Sequence, residues 1–250
     1  MRAESSVADA WRRARRPPLE AHAVHVWRVP LDDDARVGDY WALLSVDEQA
    51  RASRFVREVH RRRFVVAHGA LRTIVAGYVD ERPDALEFEI AEHGKPRLRG
   101  DARTPAIEFN LSHSEDLALV AVTRARPVGV DLERWSPEVE HLELAERFFS
   151  PGERAALRAL ADAPEQIAAG FFAAWTRKEA YLKATGHGIS RGLHHFDVAL
   201  MPGEPARLIE DRLDAGATER WSMVALDPAP GYSGALVVGA PLGDVLRLAL

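Results

Sequence analysis

Apolar and polar positions change their period several times along the chain, and each change predicts an element. Alternation over residues 24–29 predicts a short strand, closed by the acidic turn run Asp32, Asp33 and Asp34. Ser45 then opens SVDE, a capping box in which Glu48 can return a hydrogen bond to the Ser45 backbone. Phe64, Ala67, Leu71, Ile74 and Val75 follow at helical spacing until Gly77, which predicts two helices over 46–76. A loop region with Pro83, Gly94, Pro96 and Gly100 leads into strands at 107–112, 117–123 and 128–133. Their short connections predict neighbouring, largely antiparallel partners.

The second half repeats this plan. Ser150 caps a helix through SPGE, with Pro151 at the first helical position and Glu153 completing the box. A long helix is expected over 164–186, its glycine end explaining GHG at Gly186, His187 and Gly188 as a helix stop and not a nucleotide loop. Strands are expected at 196–200, 221–226 and 235–238. The fold class read from this order is α+β, built as a duplicated α/β unit with a ligand site in the cleft between halves. The boundaries are an extension at 1–23, a first half at 24–126 and a second at 127–250.

Composition narrows the class. At 250 residues with 47% hydrophobic and 28% charged, the chain resembles ordinary globular proteins, and no apolar run reaches the length of a membrane span. A net charge of −5 argues against bulk nucleic-acid binding. Without cysteine there is neither disulfide nor thiolate chemistry, which suits a reducing cytoplasm. Near the start, Trp11 stands among Arg12, Arg13, Arg15 and Arg16. Glu4 and Asp9 and the missing apolar stretch make this a solvated extension and not a targeting segment.

Lysine is the rarest charge here: Lys95, Lys178 and Lys183 are the only three. Where arginine otherwise serves, a retained lysine marks a place that needs a compact, rotatable ammonium. Two of them lie in WTRKEAYLK, where Trp175, Glu179 and Lys183 share a helical face. In VGVDLE, strand alternation buries Val128, Val130 and Leu132 and projects Asp131 and Glu133 together from the opposite face. Paired carboxylates ask for a cation, and oxygen ligands without cysteine suit magnesium; a solvated edge strand is the other reading. NLSHS places Ser112 and His113 at a strand end, where hydroxyl, imidazole and backbone amides can hold a phosphate or serve a loop structurally.

The ordered set GKP, NLSHS, VGVDLE, RFFSPGE and WTRKEAYLK resembles the large, surfactin-synthetase-activating type of 4′-phosphopantetheinyl transferase, over about residues 24–238. The resemblance implies a pseudo-twofold monomer that binds coenzyme A and Mg2+, with Mn2+ as a substitute, in the cytoplasm. Its partner is an apo acyl or peptidyl carrier protein, with no nucleic acid and no membrane. By that resemblance Asp131, Glu133 and Glu179 hold the metal, and Lys183 stands by the diphosphate. Glu179 is also the expected base, while Ser112, His113 and Lys95 bind coenzyme A. RFVREVHRRRF resembles the family's basic segment, making Arg51 and Arg63 candidates for the 3′-phosphate. Glu48 departs from the pattern, which has a basic residue there. A magnesium-dependent phosphohydrolase acting on a nucleotide diphosphate would use the same acids, and a nucleic-acid module would use the Arg51–Arg63 segment instead.

Overall fold

The computed structural model describes residues 17–91, 94–99, 106–160, 162–201 and 203–250, and the chain divides into two units. One holds the residues up to Ala125 together with Val245–Leu250, the other Arg126–Asp244. Each mixes helices with sheet, an α+β fold. The arginine-rich stretch 1–16 lies outside the described residues.

In chain order the first part carries β1 (Val24–Pro30), α1 (Val37–Leu43), α2 (Val46–Ala52), α3 (Glu58–Val79), β2 (Phe88–Ile90), β3 (Pro96–Leu98), β4 (Ile107–Ser114) and β5 (Leu117–Arg124). The second carries β6 (Val128–Arg134), α4 (His141–Phe148), α5 (Pro151–Arg158), α6 (Pro164–Thr185), β7 (Phe196–Val198), β8 (Leu208–Asp211), the single turn α7 (Ala217–Arg220), β9 (Trp221–Leu226) and β10 (Tyr232–Gly239). A last strand, β11 (Val245–Ala249), returns to the first unit and pairs parallel with β1, Val24 opposite Val245. No signal in the sequence announced that strand.

Among the described residues the two larger sheets run β11-β1-β5-β4 and β6-β10-β9, with β2-β3 and β7-β8 as two-stranded pairs; β6, expected beside β5, pairs with β10 instead. Both capping boxes form: Glu48 N donates to Ser45 Oγ at 3.2 Å, and Glu153 N to Ser150 Oγ at 3.2 Å, and each glutamate carboxylate accepts from the serine amide in return. Both long helices have 22 residues. They stop at left-handed residues, Asp80 at φ 51° and Gly186 at φ 74°. Gly77, expected to end α3, is passed through, because the cap conformation falls on Asp80. Helix α1 went unforeseen since its start has no side-chain cap.

Packing follows the predicted stripes. Phe64, Ala67, Leu71, Ile74 and Val75 on α3 bury against Trp27, Val29, Phe109, Val120 and Val122 of the first sheet. In the second unit Phe171, Ala174, Tyr181 and Leu182 on α6 share a core with Ala235 and Val237 of β10. Leu19 and Ala23 are buried in the first core, so the described chain packs from before the strand that the sequence placed first.

Candidate active site

The second unit assembles the acids. β6 lies against α6 so closely that a Cβ on Gly129 would stand 2.1 Å from the Ala180 carbonyl oxygen and 2.4 Å from the Ala184 nitrogen. No side chain fits there. The face of β6 that bears Asp131 and Glu133 is therefore covered by the helix, and Asp131 is 4% exposed. Val128, Val130 and Leu132 are buried as expected, and the burial of Asp131 removes the reading of a solvated acid face there. Lys183 reaches back from α6 and donates to Asp131 Oδ1 at 2.6 Å and to the Val130 carbonyl at 3.3 Å.

Glu179 sits one turn before that lysine, and its Oε1 is buried with no hydrogen-bond partner. Burial, then the neighbouring Asp131 and Glu133 carboxylates, push its carboxyl up to about 7 against the pull of Lys183. An acid group this costly to ionise is what a bound cation would relieve. Among the described residues, no three His, Asp or Glu side chains are grouped so as to hold a metal ion.

Two other residues of WTRKEAYLK turn inward. Trp175, expected on the face of Glu179 and Lys183, packs with Phe148, Phe149 and Phe171 at ring separations of 5.8 to 6.3 Å. Lys178 is fully buried and bonded to Glu153 at 2.8 Å, to the Leu193 carbonyl at 2.8 Å and to that of Phe196. Scarcity thus marked one functional candidate and one core cation, and composition alone does not separate them.

In the first unit the candidates fall into two groups. Phe55, His60, Arg63, Phe64, His113, Ser114 and Glu115 line a pocket of about 190 Å³, so Arg63 and His113 meet there. Arg51 lies outside the lining, its guanidinium 5.2 Å from the centre of the Phe64 ring. Strand β4 runs on through Ser114, so Ser112 and His113 point to opposite faces; Ser112 is buried while His113 is exposed. Lys95, 4.0 Å from Glu108, belongs with the Ser112 face, because Glu108 and Ser112 are four residues apart on one strand. Burial lowers the Lys95 ammonium, partly countered by Glu108.

Glu48 has a structural reason to be acidic. Its carboxylate accepts from Arg72 Nε at 2.7 Å, from the Ser45 amide at 2.9 Å and pairs with His68 Nδ1 at 3.2 Å. Sequence reasoning passed over Asp32, Glu115, Phe55 and His60. The turn after NLSHS was legible, but a carboxylate folding back onto Arg63 was not.

Comparison with known proteins settles the lineage. The model of the 4′-phosphopantetheinyl transferase superfamily matches residues 127–237, and that of the 4′-phosphopantetheinyl transferase N-terminal region matches 33–125. The chain belongs to this superfamily. The transferase HetI of Nostoc sp. is 43% identical over 227 residues, covering 89% of this chain and 92% of the relative. The transferase psf-1 of Bacillus pumilus is 37% identical over 182 residues, 72% and 75% of the two chains. Sfp of Bacillus subtilis is 28% identical over 161 residues, 64% and 68%. The enzyme is a 4′-phosphopantetheinyl transferase with coenzyme A as co-substrate, and the hydrolase alternative finds no support among these relatives. No described helix is long and apolar enough to cross a membrane.

Proposed function

We propose that this transferase moves phosphopantetheine onto the serine of an apo acyl or peptidyl carrier protein of polyketide or nonribosomal peptide synthesis, acting as a cytoplasmic monomer. The serine Oγ–P bond forms, the bond from that phosphorus to the bridging diphosphate oxygen breaks, and adenosine 3′,5′-bisphosphate leaves with the electron pair. Asp131, Glu133 and Glu179 would hold magnesium, or manganese in its place. A buried carboxylate oxygen of Glu179 left unbonded, on a carboxyl that the Asp131 and Glu133 charges push up, suits a hard divalent cation. When bound, that ion supplies charge neutralisation at the diphosphate.

The protein's own groups do the rest. Lys183, which pairs with Asp131 at 2.6 Å, offsets charge on the leaving oxygen. Glu179 takes the serine proton, directly or through a water. Arg63 and His113 hold the 3′-phosphate, Arg51 adds charge at the edge of their pocket, and Lys95 and Ser112 contact the rest of coenzyme A. The convergence of Asp131, Glu179 and Lys183 carries this assignment. Intact-mass analysis of candidate apo carriers with coenzyme A and magnesium tests it: the phosphopantetheine increment is expected, lost with EDTA and restored by magnesium or manganese. Modification that persists in EDTA would remove the metal from the reading.

A further inference from the structure

Arg63 enters the pocket already engaged. Asp32 takes its Nε and Nη2 hydrogens at 2.9 and 3.2 Å, and Glu115 takes an Nη1 hydrogen at 2.9 Å, three of the five donors a guanidinium has. The two acids differ. Asp32 grips the side of the fork with two bonds and does not line the pocket, whereas Glu115 makes one bond and does line it, beside His113 and Ser114. Glu115 sits on a hairpin turn where its backbone takes a left-handed φ of 49°. Its side chain is 56% exposed, close to the 58% of Asp32, so solvent can receive its carboxylate, and it is the bond count and the pocket lining that set the two acids apart. A phosphate monoester approaching Arg63 meets two negative charges against one positive and gains little until one of them withdraws.

We propose that Glu115 is a stand-in for phosphate: it holds the Arg63 donor that a phosphate monoester takes on binding, and its withdrawal sets how strongly the enzyme prefers a 3′-phosphorylated donor. The inference rests on the reading that Arg63 and His113 form the 3′-phosphate subsite. Asp32, with two bonds from outside the pocket, is then the brace that keeps the guanidinium aimed while Glu115 yields.

Calorimetric titration of the full-length chain with adenosine 3′,5′-bisphosphate and with adenosine 5′-monophosphate tests both layers. Arg63→Met should weaken the bisphosphate about tenfold or more and leave the monophosphate unchanged, as loss of a charge-assisted bond requires. Glu115→Gln should tighten the bisphosphate about three- to fivefold, the scale of one exposed ion pair, again sparing the monophosphate. Asp32→Asn should weaken the bisphosphate. If Arg63→Met weakens binding but Glu115→Gln does not tighten it, Glu115 is a second brace and the proposal is overturned while the subsite stands. If Arg63→Met is silent, the subsite reading falls and takes the proposal with it.

Discussion

Arg72 and Lys178 stand at the same position along their 22-residue helices, and each ties three pieces of its unit together. Arg72 binds the capping glutamate of α2, Glu48, at 2.7 Å and the carbonyls of Pro83 and Leu86 at 3.0 Å. Lys178 binds the capping glutamate of α5, Glu153, and the carbonyls of Leu193 and Phe196. The strands match too, for Pro30 pairs with the first residue of β5 and Arg134 with the first of β10. Counting back from those pairs sets His25, Trp27 and Val29 against Gly129, Asp131 and Glu133. Along the helices, Thr73 answers Glu179 and Tyr78 answers Ala184.

What differs is bulk against charge. In the first unit Trp27 Nε1 donates to the Tyr78 hydroxyl at 2.8 Å, His25 Nδ1 joins that hydroxyl at 2.7 Å, and Thr73 bonds its own helix at the Gly69 carbonyl. The second unit has removed the imidazole and the phenol, leaving Gly129 and Ala184, and has put acids where the indole and the threonine were. One scaffold thus carries a filled core in one copy and, in the other, the acid cluster proposed as the reactive site. The shared glutamate–cation hubs tie each scaffold together, and the proposed chemistry lies in positions the first copy uses for packing.

Breaking the hubs should have the largest effect. Lys178→Met leaves Glu153 buried without its cation and should cost about 3–5 kcal/mol, whereas Arg72→Met leaves Glu48 partly in reach of water and still paired with His68 and should cost less. The loss should be greater at Lys178, because the Glu153 side chain is 3% exposed and that of Glu48 15%. Urea unfolding of the two variants measures this, and a negligible loss at either would show that the hubs are not equivalent supports.

Next come the positions that differ. Asp131→Ala and Glu179→Ala should lower carrier modification about a hundredfold or more, equivalent to about 2.7 kcal/mol of barrier, with unfolding little changed. Thr73→Ala, the mirror substitution, should leave transfer near normal. Loss of transfer in Thr73→Ala, or its survival in Asp131→Ala, would dissolve the contrast between copies. A smaller effect is expected for Lys183→Arg, about tenfold, since a planar fork replaces a point charge beside Asp131. Full activity there would make the rarity of lysine a compositional accident.

Much of this was legible because local rules and tertiary structure agreed. Ser45 and Ser150 each cap a helix with the glutamate three residues on, and the apolar stripe read on α3 is buried in the first core. VGVDLE showed its acids but not their cover, because alternation reports two faces of a strand and not what lies on each. Only the close approach at Gly129 explains why Asp131 is buried. Lys178 was misleading for a related reason: a buried ammonium and a functional one look alike in sequence, and its partner Glu153 lies in another helix. β11 escaped because parallel pairing with β1 depends on a contact across almost the whole chain.

The gentlest test of the comparison is pH, because the two capping glutamates respond in opposite senses. Burial pushes Glu48 up, but hydrogen bonds from His68 and the Ser45 amide and the charge of Arg72 outweigh it, leaving the carboxyl at about 2 against an ordinary 4.5. For Glu153, burial wins over Lys178 and the amide bonds, and its carboxyl is raised. A group lowered on folding binds fewer protons in the native state, so Glu48 contributes stability that is fully present above about 4.5 and lost as pH falls towards about 2. With its side chain partly in reach of water, that contribution is on the order of 1–2 kcal/mol. Glu153 has the reverse sign: its contribution is present at low pH and declines as pH rises through its folded value. Urea midpoints measured from pH 6 to pH 3 should therefore fall less steeply in Glu48→Gln than in the wild type, while Glu153→Gln should not flatten that acid limb. An unchanged slope in Glu48→Gln would mean that the first hub holds by shape and not by charge, and the two copies would then be glued by different physics.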